Sequence, residues 1–84
     1  MNNYHVYILE CNDGSYYCGI TTDLQRRLDQ HNKGTASKCT RARLPVKMVY
    51  HEDDHSKSTA LKREAQIKKL THKQKYELIK NSDN

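Results

Sequence analysis

The stretch His5-Val6-Tyr7-Ile8-Leu9-Glu10-Cys11-Asn12-Asp13-Gly14-Ser15-Tyr16-Tyr17-Cys18-Gly19 decides how the chain folds. Two apolar runs flank an Asp-Gly turn, which is the pattern of a β-hairpin, and tyrosines stand where a core strand more often carries aliphatics. Loop length sets what those tyrosines share. A two-residue Asp13-Gly14 turn pairs Asn12 with Ser15 and leaves Tyr7 and Tyr17 on different faces. A three-residue Asn12-Asp13-Gly14 loop, with Gly14 left-handed in a G1 bulge, pairs Cys11 with Ser15, Leu9 with Tyr17 and Tyr7 with Gly19. The second register is favoured. It puts both phenols on one face, and Gly19 opposite Tyr7 leaves open space above the sheet for a ligand.

Outward from the hairpin, residues 4–11 and 15–21 read as its strands. Thr22 as N-cap with Gln25 three residues on forms a capping box, and Gly34 supplies the stop, so a helix is expected near 23–33. Leu24 and Leu28 mark its buried stripe, with Arg27 and His31, four apart, on the shoulder and Arg26 in solvent. Residues 35–45 carry no amphipathic period and end at the only proline, which predicts a cationic loop. Its Lys38, Arg41 and Arg43, with hydroxyls at Ser37 and Thr40, are residue types that contact phosphates without reading bases; an ordinary solvated loop is the alternative.

Val46-Lys47-Met48-Val49-Tyr50-His51 reads as a third strand, Glu52-Asp53-Asp54 as an acidic turn, and residues 58–70 as a helix. With Ala60 at zero on its wheel, Ile67, Glu64, Leu61 and Leu70 fall at roughly -20°, 40°, 100° and -80°. Glu64 therefore stands inside the apolar arc, where a carboxylate needs a cation, a metal or hydrogen-bond donors. A structural salt bridge, with Arg27 as one possible partner, is the alternative to a functional role. Thr71-His72-Lys73-Gln74 is a second capping box that opens a short helix to about Lys80, burying Leu78 and Ile79, with residues 81–84 frayed.

The 84 residues suit one domain with a small core, because a chain of this size buries only about 60% of its unfolded surface. Hydrophobic content is 35% and mean hydropathy is -1.08, yet the apolar residues cluster periodically, which predicts a folded domain with a very polar surface. No apolar run approaches membrane-spanning length, and a strand-like pattern starts at once where a secretory signal would lie. Three cysteines without a CxxC pair indicate neither a disulfide set nor a zinc knuckle, so they are expected as small buried or half-buried residues of a cytoplasmic protein. His5, His51, His55 and His72 show no metal-ligand spacing. The net charge of +5 is uneven: residues 1–31 hold two Lys/Arg against four Asp/Glu, and residues 32–84 hold thirteen against six. A positive field over the later elements suits a polyanion such as nucleic acid.

His5-Val6-Tyr7 followed by Tyr17-Cys18-Gly19 resembles the paired triplets that name the GIY-YIG nuclease superfamily, departing from them at His5, Val6 and Cys18. The next segment, from Thr21 to Asn32, looks like the family's helix bearing Arg and His, and Ala60-Leu61-Lys62-Arg63-Glu64-Ala65 looks like its helix bearing one glutamate. Four elements in the right order cover almost the whole chain, which in size is most similar to the stand-alone members without appended domains. The resemblance implies an α+β fold, a small three-stranded, mainly antiparallel sheet flanked by helices in the order β-β-α-β-α-α, with residues 1–84 as one domain. It implies hydrolysis of phosphodiester bonds in DNA or structured nucleic acid, with Tyr17 first choice to activate the water, Tyr7 positioning it or accepting the proton, and His31 sharing the proton or binding phosphate. Arg27 would stabilise the transition state with planar donors that stay charged, and Glu64 would anchor one divalent cation, Mg²⁺ or Mn²⁺. Tyr4 and Tyr16 should face away from that site. Since nothing resembles a sequence-reading module, such a chain would recognise shape, rely on a protein partner, or cleave weakly and nonspecifically. A non-catalytic nucleic-acid-binding module of the same fold is the second reading, and a protein-interaction domain the third.

Overall fold

A computed structural model describes residues 2–82. Strands β1 (Tyr4–Glu10), β2 (Tyr16–Thr21) and β3 (Lys47–His55) form an antiparallel sheet in the order β2-β1-β3. Helices α1 (Leu24–Asn32) and α2 (Lys38–Arg41) follow β2, and α3 (Lys57–Lys68) and α4 (His72–Ser82) follow β3. The fold is the expected α+β arrangement with one added helical turn. As the central strand, β1 is covered on both faces, so Val6, Tyr7, Ile8 and Leu9 are all fully buried.

The hairpin takes the three-residue loop. Tyr7 stands opposite Gly19 and Leu9 opposite Tyr17. Gly14 has φ +84°, and the Cys11 amide donates to the Ser15 carbonyl at 2.8 Å. The space over Gly19 is not open, however. A Cβ at that position would meet Tyr7 Oη at 2.5 Å, so the small residue makes room for the phenol across the ladder rather than for a ligand.

Local chemistry also moves several boundaries. The N-cap of α1 is Asp23, not Thr22: its side chain accepts from the Arg26 amide at 3.0 Å, while Gln25 donates to Asp29 at 3.1 Å instead of closing a box. The expected loop at 35–45 holds α2, capped by Ser37 accepting from the Cys39 amide at 3.1 Å. β3 runs on through Glu52, Asp53 and Asp54, and the first two of these acids find partners in the sheet and on α3 rather than turning away. Asp53 Oδ1 lies 2.7 Å from His5 Nδ1 and 2.9 Å from His51 Nδ1. Ser56 with Thr59 caps α3, so that helix begins at Lys57, and it ends at Lys68. The Thr71 and Gln74 box forms as read, and α4 continues through Asn81 and Ser82, two residues expected to fray. Residues 83 and 84 lie outside the described residues. Cys39 is exposed, contrary to the expectation that all three cysteines are buried or half-buried, whereas Cys11 and Cys18 are buried.

Two cores result. On one face of the sheet Val6, Ile8, Cys18 and Tyr50 pack with Ala60 and Ile67, backed by Leu78 and Ile79 and by Tyr4 and Tyr16. On the other face Tyr7, Leu9, Cys11 and Val46 pack with Leu24, Leu28 and Tyr17.

Candidate active site

Alternation along the hairpin sends Tyr7 and Tyr17 to the α1 face, and the helical repeat brings Arg27 and His31 down onto them. Tyr7 Oη lies 3.0 Å from His31 Nε2 and accepts from Arg27 Nε at 3.3 Å. Arg27 also donates from Nη1 to Gln30 Oε1 at 3.1 Å. His31 was expected on the shoulder of its helix; it is instead fully buried, because α2 closes over it. Thr40, on α2, is fully buried as well, with Oγ1 2.9 Å from His31 Nδ1 and its hydroxyl donating to the Ser37 carbonyl at 3.3 Å. Tyr17 is half-buried, its ring edge-on to His31 with centroids 5.1 Å apart.

Burial sets the electrostatics of this group. It pushes the Tyr7 phenol above its ordinary value, an effect the nearby Arg27 guanidinium opposes without reversing. Burial, reinforced by Arg27, lowers the His31 imidazole to about 4, so His31 is neutral near pH 7. The cluster thus keeps one permanent cation, Arg27, beside two neutral rings.

Glu64 comes from α3, whose buried residues pack on the other core. It lies on α3 between buried Ala60 and Ile67, in the layer on the opposite face of the sheet, with its side chain 20% exposed. Its partner is Lys68, with Nζ 3.6 Å away, and not Arg27. The neighbouring Cys18 thiol is pushed up to about 12, first by burial and then by the Glu64 charge.

Of the proposed phosphate contacts, Lys38 and Arg41 are exposed. Arg43 is already engaged, 3.1 Å from Asp13 and donating to the Cys39 carbonyl at 3.1 Å. Tyr4 and Tyr16 face the other core, as expected, and Tyr16 stacks on His72 with centroids 4.5 Å apart. A cavity of about 420 Å³ lies at the hairpin end of the sheet, lined by Glu10, Cys11, Asn12, Gly14, Pro45 and Lys47, and includes none of the expected site residues.

Sequence reasoning missed two features. Thr40 entered only as a loop hydroxyl: Ser37 and Thr40 three apart can signal a local turn but not that one of them is buried. The second is a clamp on Glu52, which accepts from Arg63 Nε at 2.9 Å and from the Tyr50 hydroxyl and lies 2.9 Å from His55 Nε2. These donors outweigh the effect of burial and hold the Glu52 carboxyl below its usual range. No periodicity marks that cluster.

The α+β fold thus gathers two tyrosines, an arginine and a histidine between its hairpin and its first helix. The model of the GIY-YIG catalytic domain matches residues 3–77, and the chain belongs to that family, whose members are generally nucleases acting on nucleic acid. Its relatives include the small UPF0213 proteins. That of Halobacterium salinarum is 51% identical over 76 residues, covering 90% of this chain and 99% of the relative. That of Streptococcus agalactiae is 49% identical over 80 residues, covering 95% and 91%. Two solution NMR structures are similar: the protein EF2693 from E. faecalis, 45% identical, with TM-score 0.63 over 96% of this chain and 90% of that one, and the UPF0213 protein BH0048 from Bacillus halodurans, 42% identical, with TM-score 0.59 over 92% and 82%.

Proposed function

We propose that this chain, acting as one domain, is an endonuclease that hydrolyses phosphodiester bonds in DNA or structured nucleic acid with a single divalent cation. The observation that carries the reading is the buried support under Arg27: a phenol and a neutral imidazole, both costly to bury, hold one guanidinium at the surface of the α1 layer. Such a guanidinium stabilises charge developing on a phosphate without titrating. Tyr17, the half-buried phenol, takes the proton of the attacking water. Tyr7 is fully buried and acts by positioning Arg27.

Glu64 is the residue to hold Mg²⁺ or Mn²⁺. Magnesium is commonly bound by one or two carboxylates, with waters and substrate phosphates completing the shell, and a lone half-buried carboxylate fits that donor set. Among the described residues no group of three or more His, Cys, Asp or Glu gathers to hold an ion, so Glu64 would hold the cation together with waters and phosphate oxygens. When bound, it neutralises charge on the phosphate oxygens. Exposed Lys38 and Arg41 hold flanking phosphates, and a protein partner or the shape of the substrate supplies specificity. No helix of the described residues is long and apolar enough to cross a membrane, and buried thiols at Cys11 and Cys18 suit a reducing cytoplasm.

The second reading, a binding module without turnover, has its own support in the placement of Glu64 across the sheet and in its pairing with Lys68. Nicking of supercoiled plasmid in Mg²⁺ or Mn²⁺ by wild type, Arg27→Ala and Glu64→Ala separates the two. Activity in wild type with a loss of about 10²-fold or more in each variant supports the nuclease. Salt-sensitive binding without nicking by folded wild type supports the binding module.

A further inference from the structure

We infer that Thr40 is a positioning residue of this site: by fixing the tautomer of His31 it keeps the Tyr7 oxygen available to hold Arg27. The hydrogen-bond chain runs Arg27 Nε, Tyr7 Oη, His31 Nε2, His31 Nδ1, Thr40 Oγ1 and the Ser37 carbonyl, with steps of 3.3, 3.0, 2.9 and 3.3 Å. Its two ends fix its direction. The Ser37 carbonyl can only accept: it takes the Arg41 amide at 3.0 Å and, on its second lone pair, the Thr40 hydroxyl, which in turn offers a lone pair to His31 Nδ1. Nδ1 therefore carries the proton of the neutral ring, and Nε2 presents its lone pair to the Tyr7 hydroxyl. At the other end the Arg27 Nε–H can only donate, and the Tyr7 oxygen accepts it. Every buried polar atom along the chain is then satisfied in one arrangement, and Tyr7, His31 and Thr40 are all fully buried.

The opposite tautomer breaks the chain at both ends. An Nε2–H on His31 would donate to the Tyr7 oxygen, leave the Tyr7 proton unpaired in the core, and compete with Arg27 for the same acceptor. Nδ1 would then have to take the Thr40 proton, and the hydroxyl would give up its bond to the Ser37 carbonyl. Thr40 disfavours this state, at the cost of its bond to Ser37, although it lies on α2 and touches neither Tyr7 nor Arg27 through any bond of the chain. For catalysis the inference rests on the nuclease reading, because its consequence there is the aim of Arg27. The tautomer itself is independent of turnover.

The test uses the full chain with ¹⁵N-labelled histidine and arginine. Long-range ¹H–¹⁵N spectra at neutral pH should show wild-type His31 protonated at Nδ1 and bare at Nε2, and the Arg27 Nε–H slow to exchange. Thr40→Val removes the acceptor at nearly constant volume. It should populate the Nε2–H tautomer and speed exchange of the Arg27 Nε–H about tenfold, while Thr40→Ser restores both signals. Should the valine variant fail to fold, Thr40→Ala makes the same deletion with a small void in place of a methyl group. An Nε2–H tautomer in wild type, or an unchanged tautomer in the deletion variant, overturns the inference. In the nicking assay kcat should fall about tenfold for Thr40→Val and recover for Thr40→Ser, with KM little changed. If wild type nicks nothing while His31 still follows Thr40, the nuclease reading falls and the positioning of Arg27 by Thr40 stands.

Discussion

Ile67 and His31 are both fully buried, one on each side of the same sheet, yet they are held in place by different physics. Around Ile67 the neighbours are Val6, Ile8, Cys18 and Ala60, and stability comes from apolar area without regard to direction. Around His31 the buried neighbours include Tyr7 and Thr40, each of which would cost about 1–3 kcal/mol if left without a partner. The α3 face therefore tolerates many packings, whereas the α1 face tolerates one pattern of donors and acceptors. A chain of 84 residues has little core to spare, and placing three polar side chains in it is intelligible where they serve a site.

The contrast breaks most visibly at Ile67. Ile67→Ala should cost about 2–5 kcal/mol, because a fully buried side chain leaves a cavity that the helix fills only partly. In a domain of this size each kcal/mol lowers Tm by about 4–8 °C. Below the new Tm the His31 signals should be unchanged. A shifted His31 tautomer in this variant would show that the two faces are one cooperative unit and not two.

Acid should strike the other face. The folded His31 pKa is lowered to about 4 from an ordinary 6.5, so between those values the unfolded chain binds more protons than the folded one. Stability contributed by this group is therefore complete above pH 6.5 and lost as pH falls toward 4, by roughly 3 kcal/mol in all. Urea unfolding of wild type and His31→Gln across that window isolates the effect. Equal slopes for both would mean that His31 is charged inside the fold, contrary to the neutral ring required by its partners.

Gly19→Ala should come next, at about 1–3 kcal/mol, by forcing a Cβ against the Tyr7 phenol 2.5 Å away. Adding Tyr7→Phe removes the nearest atom and should restore part of the Tm. No restoration would place the strain in the backbone of β2 instead of at the phenol.

This residue also marks where the sequence was legible and where it stopped. The register followed from turn chemistry, since Asn12-Asp13-Gly14 selects a bulged loop and fixes every pair above it. The arrangement of Arg27 and His31 on one helix face followed from their spacing. What filled the gap over Gly19 did not follow, because a glycine opposite a tyrosine reads alike whether the phenol folds over it or stands clear. The acids of β3 were misread for a related reason: their partners His5 and Arg63 are remote in sequence, so composition suggested a turn where long-range pairs make a strand. Thr40 was hidden because burial of a hydroxyl in a four-residue helix leaves no period to detect.

Glu64 is where the two faces must meet if the site is to hydrolyse anything, and its smallest perturbation is the most informative. Its pair with Lys68 spans 3.6 Å, and the lysine is 54% exposed, so Lys68→Ala should change stability by less than about 1 kcal/mol. The same ammonium competes with any cation for the Glu64 carboxylate. Its removal should tighten Mn²⁺ binding several-fold in a calorimetric titration in the presence of a short oligonucleotide, and Glu64→Ala should abolish that binding. If Lys68→Ala instead weakens Mn²⁺ binding along with oligonucleotide binding, the lysine contacts phosphate directly and the α3 face takes part in holding the substrate. If neither variant moves the Mn²⁺ isotherm, the acid is a structural element of the apolar layer, and the polar face alone remains to explain what this chain does with nucleic acid.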